Sequence, residues 1–276
     1  MCCRISATTA GPKNETTPGE VGARLVVWTR VEDGDSDRDI DLELEVALDE
    51  AFTQVFELEG AARVTLTAKA SFDHCVKARL TGLMPATTYY YRFIHSSGGA
   101  CYASRTGKTK TAPLPEADVT VRFAYVSCQD FIGRYYNNYI ALAQQPDLDF
   151  FVHLGDYVYE TTGDPTFQET AGARKVVFTD QAGAIALVSG DNKPYYAAKS
   201  LDNYRELYRT YRSDKALQAV HETLPMIATW DDHEFSDDSH GAVASYFDGK
   251  QDETDVERRK AANKAWFEYM PVDAAG

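Results

Sequence analysis

The stretch Phe150-Phe151-Val152-His153-Leu154-Gly155-Asp156-Tyr157-Val158-Tyr159-Glu160 decides the fold. A largely apolar run of strand length leads straight into a glycine and a carboxylate. Such a run, without polar alternation, fits a strand buried in a parallel sheet. Two further runs have the same shape. Val119–Ser127 stops at Cys128, and Pro225-Met226-Ile227-Ala228-Thr229-Trp230 stops at Asp231-Asp232-His233. Candidate helices at Tyr136–Gln145 and Ser200–Thr223 separate the three runs, and another at Glu253–Met270 follows. Strands alternating with helices predict a largely parallel sheet with helical crossovers. The carboxyl ends of its strands open on one crevice, so residues far apart in sequence meet there.

What would meet there is a set of metal-binding groups. One strand ending on Asp is unremarkable, because Asp caps many turns and helices. Three apolar strands ending on Cys128, on Asp156 with Tyr159, and on Asp231-Asp232-His233 are harder to explain as capping. Asp156, Asp231, Asp232 and Glu234 together crowd negative charge between apolar strands, which is costly without cations. Carboxylate and phenolate oxygens suit hard ions, and one thiolate favours a more thiophilic ion at its corner. Elsewhere the plainer readings hold. His153 is a packed core histidine, His221 and His240 are structural or at the surface, and His74 and His95 belong to the N-terminal region. Tyr204, Tyr208 and Tyr211 recur at helical spacing and mark a core-facing stripe. Arg205, Arg209 and Arg212 fit either a reach toward phosphate or a solvated helix face. The segment Glu160–Pro194 has little periodicity and reads as an excursion loop or lid.

Residues 1–111 differ in texture. Leu42, Leu44, Val46 and Leu48 alternate with Glu43, Glu45, Ala47 and Asp49, the pattern of a half-buried strand. Leu25–Arg30, Ala62–Thr67, Asp73–Leu80 and Tyr89–His95 supply further strands, with Tyr89, Tyr91 and Phe93 on one face; residues 32–37 form an acidic loop. Short strands at this spacing predict an all-β sandwich of the immunoglobulin or fibronectin kind. The two prolines of Thr111-Ala112-Pro113-Leu114-Pro115-Glu116 place a linker at 112–118 and a second domain at 119–276.

Bulk properties agree with two globular units. The chain has 276 residues, 44% hydrophobic and 25% charged, ordinary for a packed core. A net charge of −14 argues against an extended nucleic-acid surface, since the protein's own field repels phosphate backbones. No stretch is long and apolar enough for a transmembrane helix, and no signal peptide is visible after Met1. The five cysteines (2, 3, 75, 101 and 128) show no zinc-ribbon spacing, and either a bridge or two free thiols fits Cys75 and Cys101.

Gly155-Asp156-Tyr157-Val158-Tyr159 resembles the GDxxY block of calcineurin-like metallophosphoesterases in its purple-acid-phosphatase form. Ser127-Cys128-Gln129 and Thr229-Trp230-Asp231-Asp232-His233-Glu234 resemble blocks of the PhoD-type alkaline phosphatases and phosphodiesterases. Gly82–Phe93 is similar to the fibronectin type III signature, and that family carries such a sandwich before its catalytic domain. The resemblance implies a fibronectin III-like or Ig-like sandwich followed by part of an α/β metallophosphoesterase domain. It also implies roles. Cys128 and Tyr159 bind Fe³⁺, Asp156 bridges to Ca²⁺, Asp232 binds the second metal with help from Asp231, and His233 is catalytic at the phosphoryl oxygens. The implied reaction is hydrolysis of a small phosphate ester by metal-activated hydroxide, in a secreted or periplasmic monomer.

Nothing similar to the family's late, histidine-bearing block follows residue 240. The resemblance therefore implies a C-terminally incomplete piece, weak or inactive alone, with exposed apolar sheet faces and poor solubility. Two other readings compete: a related nuclease or phosphodiesterase, and a binding or adhesion module built on a degenerate scaffold. The joint presence of Cys128, Asp156, Tyr159, Asp232 and His233 speaks against degeneracy.

Overall fold

The computed structural model describes residues 4–9, 23–32, 37–244 and 253–272. Cys2, Cys3 and the centre of the acidic loop at 33–36 lie outside the described residues. The N-terminal region builds two antiparallel sheets. Strands β1 (Arg4–Thr9), β2 (Ala23–Glu32) and β6 (Cys75–Leu83) form the first, in the order β1-β2-β6. The second centres on β3 (Ile40–Ala47) and β7 (Thr88–Ser97). Around them pair β4 (Val55–Phe56), β5 (Val64–Ala68), β8 (Ala100–Ala103) and β9 (Gly107–Lys110). Leu25, Val27 and Val31 of β2 share one buried cluster with Leu42 and Leu44 of β3 and Tyr89, Tyr91 and Phe93 of β7. The predicted alternation of β3 fails at Ala47, which is fully buried, and at Glu45, which is buried because Arg63 and Arg92 neutralise it.

The second region is a parallel sheet, β10 (Phe123–Val126), β11 (Phe150–His153) and β14 (Met226–Ala228), in the order β10-β11-β14. Between β11 and β14 comes a hairpin of β12 (Ile185–Val188) and β13 (Pro194–Ala197), within the predicted excursion. Helices α1 (Asn137–Ala143), α2 (Leu201–Tyr211), α3 (Lys215–Thr223) and α4 (Val256–Tyr269) complete it. The predicted helix over 200–223 is thus a pair. Ser200 caps α2 through the Asn203 N–H, and Asp214 caps α3 through the N–H groups of Ala216 and Leu217. Tyr204, Tyr208 and Tyr211 are fully buried, as their spacing predicts.

Expectation and structure differ in two ways. The three apolar runs read as strands buried on both faces, but only one face of this sheet is packed, in line with the exposed apolar faces expected of an incomplete sheet. Phe151, His153 and Met226 are buried, with Phe151 and Met226 in a cluster that also contains Tyr139 of α1 and Leu217 and Val220 of α3. The opposite face carries Phe123 and Tyr125, 53% and 72% exposed, next to Val152 and Ile227 in register. An apolar face of this kind favours self-association. Tyr125→Lys is expected to lower light scattering and dye binding by the purified chain with little change in its melting temperature. Unchanged scattering would contradict it.

The second difference concerns Trp28. It lies on β2, yet it packs with the core of the second region. Its indole N–H donates to the Glu268 carbonyl at 2.7 Å, and the Arg212 guanidinium sits 4.1 Å over its ring. The three arginines of α2 are therefore neither a phosphate clamp nor a solvated face. Arg205 pairs with Glu268 at 2.8 Å and Arg209 with Asp73 at 2.9 Å, while Arg212 donates to the Tyr157 hydroxyl at 3.1 Å. They bind α2 to α4, to the N-terminal sheets and to the loop after β11. Cys75 is buried and Cys101 exposed, and both are free thiols. No helix among the described residues is long and apolar enough to cross a membrane.

Candidate metal centre

The carboxyl ends of β10, β11 and β14 converge as parallel topology requires. Backbone pairing continues past the strands, from the Cys128 N–H to the Gly155 carbonyl at 3.2 Å and from the Gln129 N–H to the Asp156 carbonyl at 3.0 Å. Both Cys128 (φ 57°) and Asp156 (φ 54°) adopt left-handed backbone, an unfavourable choice for residues with side chains and a frequent mark of functional loops. Gly155 has no alternative. Its φ is 111°, and a Cβ there would lie 2.5 Å from the Cβ and backbone nitrogen of Asp231. The glycine is what lets the β11 and β14 loops touch.

Asp156 is the centre of the arrangement. Its Oδ2 lies 3.3 Å from Cys128 Sγ and 3.4 Å from the Tyr159 hydroxyl. Its Oδ1 is buried with no hydrogen-bond partner among the described residues. One carboxylate oxygen of Asp156, one of Asp232 and a ring nitrogen of His233 lie within 4.8 Å of one another. Asp232 also belongs to a more exposed acidic group with Asp237 and Asp238. Asp231 stands apart: it is exposed, with its N–H tied to Glu234 at 2.7 Å.

The electrostatics fit a cation. Burial pushes the Asp156 carboxyl up, and Asp232 and Asp231 push the same way against the pull of His233. Burial likewise raises the Cys128 thiol and the Tyr159 hydroxyl, and Asp156 adds to both. Burial and the Asp156 charge thus disfavour the anionic forms of Cys128 and Tyr159, a balance that a multivalent ion among them reverses. The orphaned Asp156 oxygen and the mixed thiolate, phenolate and carboxylate set suit such an ion.

Two residues here, Phe167 and Glu160, escaped the sequence reading, and the role of Glu234, expected only as part of the negative crowding, is now specific. Glu234 is buried and accepts the N–H groups of Asp156, Tyr157 and Asp231 at 3.1, 2.7 and 2.7 Å, so one carboxylate ties two loops together. Burial pushes it up to about 7 despite those bonds. Phe167, from the excursion after Glu160, packs on the rings of Tyr159 and His233 at 5.7 and 5.5 Å. Glu160 is fully buried and meets His233 Nδ1 at 2.8 Å. Burial opposes charge on His233, but the hydrogen bond and charge of Glu160, with Asp156 and Asp232, push it up to about 9. A carboxylate one residue past a predicted ligand was the available signal for Glu160, whereas nothing in the sequence pointed to Phe167. His153 and His221 are core histidines; His221 Nε2 meets the Tyr157 hydroxyl at 2.7 Å.

The family model described as PhoD-like phosphatase matches residues 123–276, and that of the PhoD-like phosphatase N-terminal domain matches residues 18–113. The chain belongs to the PhoD-like phosphatase family. Alkaline phosphatase D of Bacillus subtilis (strain 168) is 34% identical over 255 residues, which is 90% of this chain and 39% of the relative. The solved structure of PhoD superposes with a TM-score of 0.75 at 31% identity, over 98% of this chain and 46% of that one. A purple acid phosphatase, PPD1 of yellow lupin (Lupinus luteus), superposes with a TM-score of 0.55 at 11% identity, over 99% of this chain and 41% of its own. The last shares the fold alone. The chain thus spans less than half the length of these PhoD-like relatives.

Proposed function

We propose that this chain carries the metal-binding part of a phosphate-ester hydrolase, acting on small phosphomonoesters or diesters. The observation that carries the reading is the Asp156 carboxylate, with one oxygen between Cys128 and Tyr159 and the other orphaned beside Asp232 and His233. Cys128, Tyr159 and Asp156 would hold Fe³⁺, and Asp156 with Asp232 would hold Ca²⁺. Asp231, exposed and outside the cluster, is the weakest of the proposed ligands. Bound ions of this kind supply Lewis acidity to the phosphoryl oxygens and a nucleophile from water at moderate pH. The protein's own part is to orient these donors and to hold an imidazole facing the substrate. His233, paired with Glu160 at 2.8 Å, is suited to stabilise phosphoryl charge or to protonate the leaving group.

Residues 1–111 are proposed as a fibronectin III-like sandwich, 112–118 as the linker and 119–276 as the first part of the catalytic domain. The Tyr89 hydroxyl accepts the Met84 N–H at 2.8 Å, the bond of a tyrosine corner in such sandwiches. The protein is proposed to be a secreted or periplasmic monomer. A chromogenic phosphate ester, offered with iron and calcium supplied and then chelated, tests the activity. Slow hydrolysis lost on chelation and in His233→Ala is expected. Hydrolysis that persists after chelation, or no uptake of metal, contradicts the reading.

A further inference from the structure

Glu160 has no exposed surface, and both of its carboxylate oxygens are committed. Oε2 lies 2.8 Å from His233 Nδ1, and Oε1 accepts the Asp237 N–H at 2.6 Å. A buried carboxylate is tolerated only where fixed donors surround it. The backbone bond to Asp237 fixes its aim, so the carboxylate does not follow the imidazole but directs it. The ring is confined on its faces as well. Its centroid lies 4.1 Å from that of Tyr159 and 5.5 Å from that of Phe167. Turning the ring over would press a C–H against Oε2, the oxygen that the Asp237 N–H does not serve.

We infer that Glu160 is the positioning residue of His233: it keeps a proton on Nδ1 and so presents Nε2 to the substrate side of the site. The second half of that statement rests on the phosphoesterase reading; the first does not. Nε2 has only a long contact, 3.5 Å to Asp237 Oδ1, and this is the nitrogen turned toward a phosphoryl oxygen or a leaving group. Carboxylate–imidazole pairs fix a histidine's tautomer and orientation in this way, and removing the carboxylate typically costs about 10–100-fold.

The test uses metal-free protein labelled with ¹⁵N-histidine, so its readout does not depend on activity. The parent is expected to show one Nδ1 proton far downfield and slow to exchange, assigned to His233 by its absence in His233→Asn. Glu160→Gln should move that proton upfield and speed its exchange while the far-ultraviolet circular dichroism stays unchanged. Glu160→Asp, which keeps the charge on a shorter arm, should restore part of the shift and serves alone if the glutamine variant does not fold. In metal-loaded protein, Glu160→Gln should lower kcat by roughly 10–100-fold with KM nearly unchanged. A downfield His233 proton that survives Glu160→Gln, or a bare Nδ1 in the parent, overturns the inference. Failure of the parent to take up metal, or hydrolysis indifferent to chelation, would sink the phosphoesterase reading and leave the Nδ1 result standing on its own.

Discussion

Asp156→Asn is expected to strip bound iron from the protein and to lower phosphate-ester hydrolysis by roughly 10³-fold, a loss of about 4 kcal/mol in transition-state stabilisation. The substitution preserves shape and removes the charge that contacts Cys128 and Tyr159 and groups with Asp232 and His233. Asp156 Oδ2 stands between Cys128 Sγ and the Tyr159 hydroxyl, and Oδ1 is the buried oxygen without a partner. An amide nitrogen in either position cannot bridge two cations. Folding should respond in the opposite sense. Burial and neighbouring carboxylates disfavour the charged form of Asp156, so its neutral replacement should leave the metal-free melting temperature unchanged or raise it. Loss of metal with retained stability separates a ligand from a core residue. Asp231→Asn is the control: exposed and outside the cluster, it should change bound iron by less than about twofold. Elemental analysis alongside a chromogenic ester assay reads both, and full iron content in Asp156→Asn would overturn the assignment.

Trp28→Ala should destabilise the chain by about 3–5 kcal/mol, a large share of the 5–15 kcal/mol typical of a folded domain. Trp28 is 1% exposed and joins the core of the second region from a strand of the first. Truncation leaves a cavity, frees the Glu268 carbonyl and removes the surface on which Arg212 lies. Arg212 in turn donates to the Tyr157 hydroxyl, one residue after Asp156. The loop that carries the proposed ligands should therefore loosen as well, and iron affinity should fall even at temperatures where the variant is folded. Denaturant unfolding with parallel metal titration measures both effects. A loss below about 1 kcal/mol would show that the two regions do not share a core.

The same tryptophan shows where sequence reading reaches its limit. Periodicity marks which side chains are buried but not what they are buried against. Leu25–Trp28 reads as an apolar run because β2 is packed on both faces, Val27 into the N-terminal core and Trp28 into the other. Tyr204, Tyr208 and Tyr211 were legible because one helix face settles their burial. Arg205, Arg209 and Arg212 were not, since their partners Glu268, Asp73 and Tyr157 are distant in sequence. Cys128, Asp156, Asp232 and His233 were legible as a group because parallel strands deliver their ends to one place. Glu160 and Phe167 act through contacts made by an irregular segment, and such contacts leave no periodic trace.

Anomalous diffraction from crystals soaked in ferric iron locates the ion directly. A peak within bonding distance of Cys128 Sγ, an Asp156 oxygen and the Tyr159 hydroxyl is the predicted result. Iron absent from this position, or bound only at the exposed carboxylates of Asp237 and Asp238, would contradict a shared metal centre at the ends of the three strands.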